Sequence, residues 1–199
     1  MKITHISDTH NQHHSLLNMP EADVLIHSGD LTFAGSEDEF DSFLEWFVEQ
    51  PYKYKIFIAG NHDDCLFESL ISGLPQNTFY LNNSSINIEG VNFYGLPMFM
   101  HDAMSGEYDK QIQAIPAGTN VLISHQPPHL ILDKAGNINY GNRNLFQAVL
   151  AIKPQYHLFG HIHDAYGITQ NEDTVFSNAA LLNEKYELTN HPIVIDVTL

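Results

Sequence analysis

The chain has 199 residues, 43% of them apolar and 16% charged, which fits a single globular domain, residues 1–199, with a buried core. Its formal net charge of −16, with seven lysines and one arginine, argues against long nucleic acid as a partner, because few phosphates would be neutralised. We see no apolar run long enough to span a bilayer and no signal peptide, and the single cysteine excludes an internal disulfide. We therefore predict a cytoplasmic protein with no membrane partner, whose oligomeric state the sequence leaves open.

The first part of the chain alternates strands with one clear helix. Short apolar runs at Lys2–Ile6, Asp23–His27 and Lys55–Ala59 end in Gly, Ser or Asp, which predicts buried strands. Between the second and third runs, the capping-box pattern Ser36-Glu37-Asp38-Glu39 predicts the start of a helix, which Pro51 ends. The apolar side chains on one face of this helix are Phe40, Phe43, Leu44 and Phe47.

The second part of the chain mixes hairpins with further strands. Alternating apolar residues on either side of Glu89-Gly90 predict a hairpin. The other predicted elements are strands at Asn120–Ser124, Tyr156–Phe159 and Ile193–Val197, a helix near Asn144–Ile152, and a hairpin formed by Gly167–Gln170 and Thr174–Ser177. Parallel and antiparallel pairing together predict an α/β fold, with two packed mixed β-sheets flanked by helices.

Five segments place Asp, Asn or His just after the carboxyl end of a predicted strand, where α/β sheets gather their ligand sites. Each motif alone is compatible with a turn or a cap, but five together make that interpretation very weak. The five motifs are Asp8-Thr9-His10, Gly29-Asp30, Gly60-Asn61-His62-Asp63, His125 and Gly160-His161-Ile162-His163. They supply seven candidate metal ligands: Asp8, His10, Asp30, Asn61, His125, His161 and His163.

Seven ligands are more than one tetrahedral zinc site uses, and no thiolates are available for a structural zinc site. They suffice for two divalent metal ions if one carboxylate bridges. Oxygen donors mixed with imidazoles suit Mn²⁺ best, with Fe, Zn²⁺ or Mg²⁺ as alternatives, and suit Ca²⁺ less well. Two such ions outweigh the negative charges of Asp8 and Asp30, so the pocket of an acidic protein would still attract a phosphate.

The order of these motifs (DxH, GD, GNHD, an isolated His and GHxH) between residues 8 and 163 resembles the calcineurin-like metallophosphoesterase superfamily. A closer resemblance, to the small metallophosphoesterase-domain proteins regarded as phosphodiesterases, is carried by residues 6–10, 55–62, 159–163 and 177–179. The resemblance implies an α/β/β/α sandwich and a dinuclear metal-dependent phosphoesterase. One departure is Phe33, which stands where many members continue the second motif with Asp or Arg.

The resemblance also implies a role for each matching residue. Asp8, His10 and His163 would hold one metal ion, and Asn61, His125 and His161 the other, with Asp30 as the bridge. A hydroxide shared by the two ions would attack phosphorus in line. His62 would then protonate or stabilise the leaving oxygen, and Asp63 would orient His62 through a hydrogen bond.

The sequence favours a phosphodiesterase that acts on a small phosphorylated substrate, such as a cyclic nucleotide. A phosphomonoesterase for small or protein-borne phosphate, and a metal-binding regulatory module with little turnover, are the alternatives. Met98, Phe99 and His101 in an apolar loop are candidate substrate contacts, although plain packing explains that loop equally well. The lone Arg143 is a further candidate, for which a solvated surface position is the alternative.

Overall fold

The computed structural model describes residues 1–198. Its strands are β1 (Lys2–Ile6), β2 (Val24–His27), β3 (Tyr54–Phe57), β4 (Thr78–Tyr80), β5 (Ser84–Ile88), β6 (Val91–Leu96), β7 (Val121–Ser124), β8 (Lys134–Ala135), β9 (Ile138–Asn139), β10 (Tyr156–Phe159), β11 (Gly167–Gln170), β12 (Val175–Asn178) and β13 (Ile193–Asp196). Its α-helices are α1 (Glu37–Glu49), α2 (Met100–Ser105), α3 (Glu107–Gln113) and α4 (Arg143–Ile152).

The strands form two mixed sheets and one short hairpin. The first sheet has the order β13-β1-β2-β3-β4, in which only β13 runs antiparallel to its neighbour. The second has the order β11-β12-β10-β7-β6-β5, with a parallel centre and an antiparallel strand at each edge. The predicted fold class is therefore confirmed, including the hairpins β5–β6 and β11–β12.

Alternating side chains along the strands build three apolar layers. Inward-facing residues such as Ile26 and Ile123 form the layer between the two sheets. The preceding residue on β2, Leu25, faces the other way and packs under α1. On the outer face of the second sheet, Leu122 packs in one cluster with Leu145 of α4. Because each sheet is apolar on both faces, the chain folds as an α/β/β/α sandwich.

Local signals placed α1 correctly. The Ser36 hydroxyl accepts a hydrogen bond from the Glu39 N–H at 3.3 Å, as the capping-box pattern predicts. The Glu39 carboxylate differs from the prediction, because it accepts from the N–H groups of Phe33 and Ala34 instead of returning to Ser36. Helix α1 thereby also holds the loop that follows β2.

Several elements were absent from the sequence-based prediction. They are β4, the hairpin β8–β9 and the helices α2 and α3. These elements are short, and their few residues carry too little periodic pattern to stand out. Within residues 1–198, we find no helix with the length and apolar character needed to cross a bilayer.

Candidate metal centre

The carboxyl ends of three neighbouring parallel strands lie in register at one edge of the first sheet. Ile6 at the end of β1 pairs with His27 of β2, which pairs in turn with Phe57 of β3. The loops that follow therefore start side by side, and the Asp8 N–H donates to the Gly29 carbonyl at 3.0 Å. Sheet register thus brings the first three motifs together.

The second sheet meets the first at the same edge. The Ser7 N–H donates to the carbonyl of Ala179, just after β12, at 3.0 Å. Within the second sheet, the Gly160 N–H donates to the His125 carbonyl at 3.1 Å. All five motifs consequently converge on one site.

One group of predicted ligands contains Asp8, His10 and His163, whose ligand atoms lie within 4.8 Å of one another. The His163 Nε2 atom is 3.3 Å from Asp8 Oδ1 and 3.4 Å from His10 Nε2. Two donors that bind one ion at ~2.1 Å are separated by roughly 3.0–3.4 Å. The spacing of these three side chains therefore fits a single cation.

A second group contains Asp30, His125 and His161, again within 4.8 Å. The His125 Nε2 atom lies 3.3 Å from Asp30 Oδ2 and 3.0 Å from Asn61 Oδ1. The predicted ligand Asn61 therefore joins this group, which has room for another cation.

Asp30 lies between the two groups. Its Oδ2 atom is 3.3 Å from His125 Nε2 and 3.6 Å from His10 Nε2. It also shares a third group with His10 and His62. The location of this carboxylate is the one that a bridging ligand requires.

Four of the seven predicted ligands adopt left-handed backbone conformations: Asp8, His10, Asp30 and His161, with φ of 54°, 40°, 56° and 70°. Non-glycine residues seldom occupy this region, and such strain persists only where the surroundings enforce it. The backbone here is therefore bent to aim polar side chains inward, at some cost in stability.

Two glycines make room for the carboxylates. A Cβ atom at Gly60 would overlap Asp30 Oδ1 and lie 2.8 Å from His125 Cε1, and one at Gly160 would overlap Asp8 Oδ2. Any larger residue would displace a predicted ligand. The glycines in the third and fifth motifs thus serve close approach of the backbone to the site.

Backbone carbonyls orient two of the imidazoles. The Nδ1–H of His125 donates to the Ser28 carbonyl, and the Nδ1–H of His163 donates to the Asn183 carbonyl, both at 2.9 Å. Each bond leaves Nε2 as the atom that faces the centre. Carbonyl partners of this kind are typical of histidines that bind metals.

The two carboxylates are held ionised despite their burial. Burial would raise the pKa of Asp8, but the hydrogen bond and charge of His163, together with the other nearby imidazoles, bring it well below its usual range. Burial likewise opposes ionisation of Asp30, and His125 lowers its pKa to about 2. Both side chains are therefore anionic at neutral pH.

The imidazoles differ in their affinity for protons. Burial would lower the pKa of His125, but the Asp30 carboxylate outweighs that effect and raises it to about 9. Burial dominates for His161 and lowers its pKa to about 4. In the metal-free centre, the His125 imidazolium therefore provides the positive charge that balances Asp30.

The donor set fits two divalent cations. His10 Nε2 and His163 Nε2 face each other at 3.4 Å beside two carboxylates, an arrangement that either a shared proton or a metal cation stabilises. Oxygen and imidazole donors without thiolates suit Mn²⁺, Fe or Zn²⁺. The residues present therefore match the dinuclear site that the motifs predict.

His62 lies beside the centre with one nitrogen available. Its ring centroid is 4.7 Å from that of His10, and its Nδ1–H donates to the Phe33 carbonyl at 2.8 Å. Because this bond fixes the tautomer, Nε2 is the atom left to meet a substrate. The placement agrees with the predicted role in leaving-group protonation, which stays a prediction.

The Asp63 carboxylate makes hydrogen bonds to groups other than the expected partner, His62. Its carboxylate accepts from the N–H groups of Gly60 at 2.7 Å, Thr32 at 2.9 Å and Leu31 at 3.2 Å, and from the Thr32 hydroxyl at 2.9 Å. The prediction that it orients His62 directly was wrong, because these donors surround both oxygens. Asp63 instead ties the loop after β2 to the loop after β3, and both loops carry predicted ligands.

The four predicted substrate contacts are not part of the ligand groups. Met98 is buried in the outer core of the second sheet, so its prediction as a substrate contact was wrong. Phe99 and His101 pack on the Phe67 ring and line a cleft of about 370 Å³ that contains none of the predicted ligands. Arg143 is exposed at the start of α4. The roles of these last three residues stay predictions.

Sequence reasoning missed Tyr186. Its ring centroid lies 4.9 Å from that of His10 and 5.4 Å from that of His163. It lines a cleft of about 340 Å³ that begins at His161 and His163. No sequence signal marks Tyr186, because it follows the last motif by more than twenty residues in a loop without a pattern.

Two packed sheets with Asp, Asn and His gathered at one edge define an α/β protein with a candidate site for two metal ions. The family model described as calcineurin-like phosphoesterase matches residues 1–165, and the chain belongs to this family. The resemblance carried by the five motifs is thereby confirmed.

Named relatives extend the match over nearly the whole chain. The UPF0046 protein K07C11.7 of Caenorhabditis elegans is 35% identical, with 98% of this chain and 74% of the relative covered. The human metallophosphoesterase domain-containing protein 1 is 34% identical, with 96% and 69% covered. The crystal structure of TT1561 of Thermus thermophilus matches with a TM-score of 0.62 at 10% identity, covering 90% of this chain and 88% of that one. This last likeness shows the fold alone.

Proposed function

We propose that the chain is a dinuclear metal-dependent phosphodiesterase that hydrolyses a small organic phosphodiester, such as a cyclic nucleotide. The observation that carries this proposal is the placement of Asp30 between two groups of ligands, one with His10 and one with His125. We favour Mn²⁺ as the native ion, because hard oxygen donors and imidazoles are mixed in the set.

The residues divide the work as the motifs imply. Asp8, His10 and His163 would hold one ion, Asn61, His125 and His161 would hold the other, and Asp30 would be a ligand common to both. The bound ions supply Lewis acidity toward the phosphoryl oxygens and a nucleophile from water near neutral pH. The Phe33 carbonyl accepts from the Nδ1–H of His62, which leaves Nε2 facing the substrate. In the imidazolium form, Nε2–H would donate its proton to the leaving oxygen and leave the neutral Nδ1–H tautomer behind.

The charge of the cleft favours a diester over a monoester. The cleft beside His161 and His163 is lined by the carboxylates of Asp164 and Glu184, and it has no lysine or arginine among the described residues that line it. A phosphomonoester carries nearly two negative charges at pH 7, because its second pKa is about 6, whereas a diester carries one. Only the metal ions would balance the charge of a monoester, so the lower charge of a diester fits better.

The test compares two substrates with the same chromophore. Metal-stripped protein is supplied with Mn²⁺, and the hydrolysis of bis-p-nitrophenyl phosphate is compared with that of p-nitrophenyl phosphate. We expect activity that requires Mn²⁺ and a higher kcat/KM for the diester. Preference for the monoester would indicate a phosphatase. Two bound metals without turnover of either compound would point to a regulatory module.

A variant of His62 tests the assignment of the acid. We expect His62→Ala to retain both metals, measured by elemental analysis, while kcat falls by about 10²–10⁴-fold. His191→Ala is the matched control, because His191 is exposed and belongs to none of the ligand groups. Loss of metal from His62→Ala would show that His62 is a ligand.

A further inference from the structure

Phe33 and Tyr186 form an exposed aromatic wall beside the metal centre. Their ring centroids are 5.5 Å apart, with the planes at 83°. Tyr186 is 4.9 Å from the His10 ring, and Phe33 is 6.2 Å from the His62 ring. Tyr186 remains 39% exposed and Phe33 52% exposed. The wall therefore presents exposed apolar ring surface beside His10 and His62.

The backbone of Tyr186 adopts a conformation that is unfavourable for a tyrosine, and hydrogen bonds hold it there. Its φ is 59°, a conformation that a bulky residue seldom adopts. The Tyr186 N–H donates to the Asn183 carbonyl, and the Tyr186 carbonyl accepts from Gln12 Nε2, both at 2.9 Å. The Asn183 carbonyl also accepts from the Nδ1–H of His163. One loop thus orients a metal ligand and the aromatic ring together.

The cleft that Tyr186 lines, and Phe33 does not, contains acidic residues. Besides Tyr186, its lining includes the aromatic ring of Tyr140 and the carboxylates of Asp164 and Glu184. A second phosphate or a carboxylate on the substrate would be repelled there. A neutral planar ring would find aromatic surface, and its N–H or O–H groups would find acceptors.

We infer that the aromatic wall of Phe33 and Tyr186 determines substrate specificity by binding a neutral planar ring of the phosphodiester. The inference rests on the proposed function and narrows it to aryl or nucleoside diesters, as opposed to purely alkyl diesters or polyphosphates. Ring stacking is suited to this kind of selection, because any planar ring can stack, whereas a substrate without a ring gains no stacking energy.

The test uses two phosphonates that cannot be hydrolysed. Phenylphosphonate and methylphosphonate present the same type of anionic group to the metals. The change in the ratio of their Kd values between wild type and a ring-deleted variant therefore reports on the ring, because any difference in phosphonate acidity cancels. We expect calorimetric titration of the Mn²⁺-loaded protein to show phenylphosphonate binding at least about tenfold more tightly. Tyr186→Phe should keep this ratio. Tyr186→Asn should reduce it, because Asn tolerates positive φ but has no ring.

Further variants keep the test decisive. Phe33→Ala removes the other ring but leaves the backbone carbonyl that holds His62, and the double variant should bring the ratio close to one. Ile168→Ala, at a residue 53% exposed on β11, is the control and should leave the ratio unchanged. If Tyr186→Asn loses metal, Phe33→Ala alone decides the outcome.

The outcomes separate this inference from the proposed function. An unchanged ratio in the ring-deleted, metal-loaded variants, with diester hydrolysis intact in the wild type, would overturn the aromatic wall alone. Absence of metal-dependent diester hydrolysis in the wild type would instead overturn the proposed function.

Discussion

Metal binding at the centre should release a proton from His125. In the metal-free protein, the Asp30 carboxylate 3.3 Å away outweighs burial and raises the pKa of His125 to about 9. A histidine must lose this proton before its Nε2 binds a cation. Mn²⁺ therefore competes with the proton at every pH below about 9, and low pH weakens binding.

The size of the effect follows from the pKa. At pH 7, two units below the pKa of His125, only about 1% of the imidazole is deprotonated. The apparent affinity for Mn²⁺ should then be about 100-fold below its high-pH limit, equivalent to about 3 kcal/mol. Between pH 7 and pH 8 it should increase about tenfold. His163, whose pKa is raised by Asp8 against the effect of burial, acts in the same direction.

The assay is calorimetric titration of Mn²⁺ into metal-free protein at pH 7, in buffers that differ in ionisation enthalpy. The observed enthalpy should vary linearly with that of the buffer, with a slope of at least about one released proton. His191→Ala should give the wild-type slope. A slope near zero, with metal bound, would refute the protonated His125 and its pairing with Asp30.

Three further perturbations have defined outcomes. Asp30→Asn should lose most of the bound metal, measured by elemental analysis, together with most of the activity, measured by diester hydrolysis. Full metal content would contradict the bridging role. Gly160→Ala should lower both metal affinity and the free energy of unfolding, because its Cβ overlaps Asp8 Oδ2; a wild-type metal affinity would contradict this steric argument. Burial lowers the pKa of His157 to about 3, so its stabilising contribution is present above pH 6.5 and is lost as the pH falls toward 3. Urea titrations of metal-free protein at pH 7 and pH 5 measure how far the free energy of unfolding falls between these pH values. The fall should be smaller for His157→Gln than for wild type, by about 2 kcal/mol, and equal falls would contradict this.

Local sequence determined the strands, the main helix and which residues gather at the candidate metal centre. The capping box at Ser36 and the apolar face of α1 involve residues only a few positions apart, so their structure follows from short-range patterns. The convergence of the candidate ligands was predictable for a related reason. Each follows an apolar strand, and parallel strands in register must place their carboxyl ends at one edge.

Tertiary structure alone decided which groups contact one another around that centre. Asp63 is adjacent to His62 in the chain, yet its carboxylate faces the N–H groups of Leu31 and Thr32, about thirty residues away. Met98 lies in an apolar loop whose direction of packing no local pattern reveals.

Tyr186 shows the same limit most clearly. Its place beside His10 depends on a left-handed backbone, on the Asn183 carbonyl and on the side chain of Gln12 far back in the chain. Periodicity and spacing report only on neighbours within a few residues, whereas side-chain partners in a cleft are set by how separate loops pack. The sequence therefore predicted which residues gather at the candidate metal centre. It did not predict the aromatic surface that we propose selects the substrate.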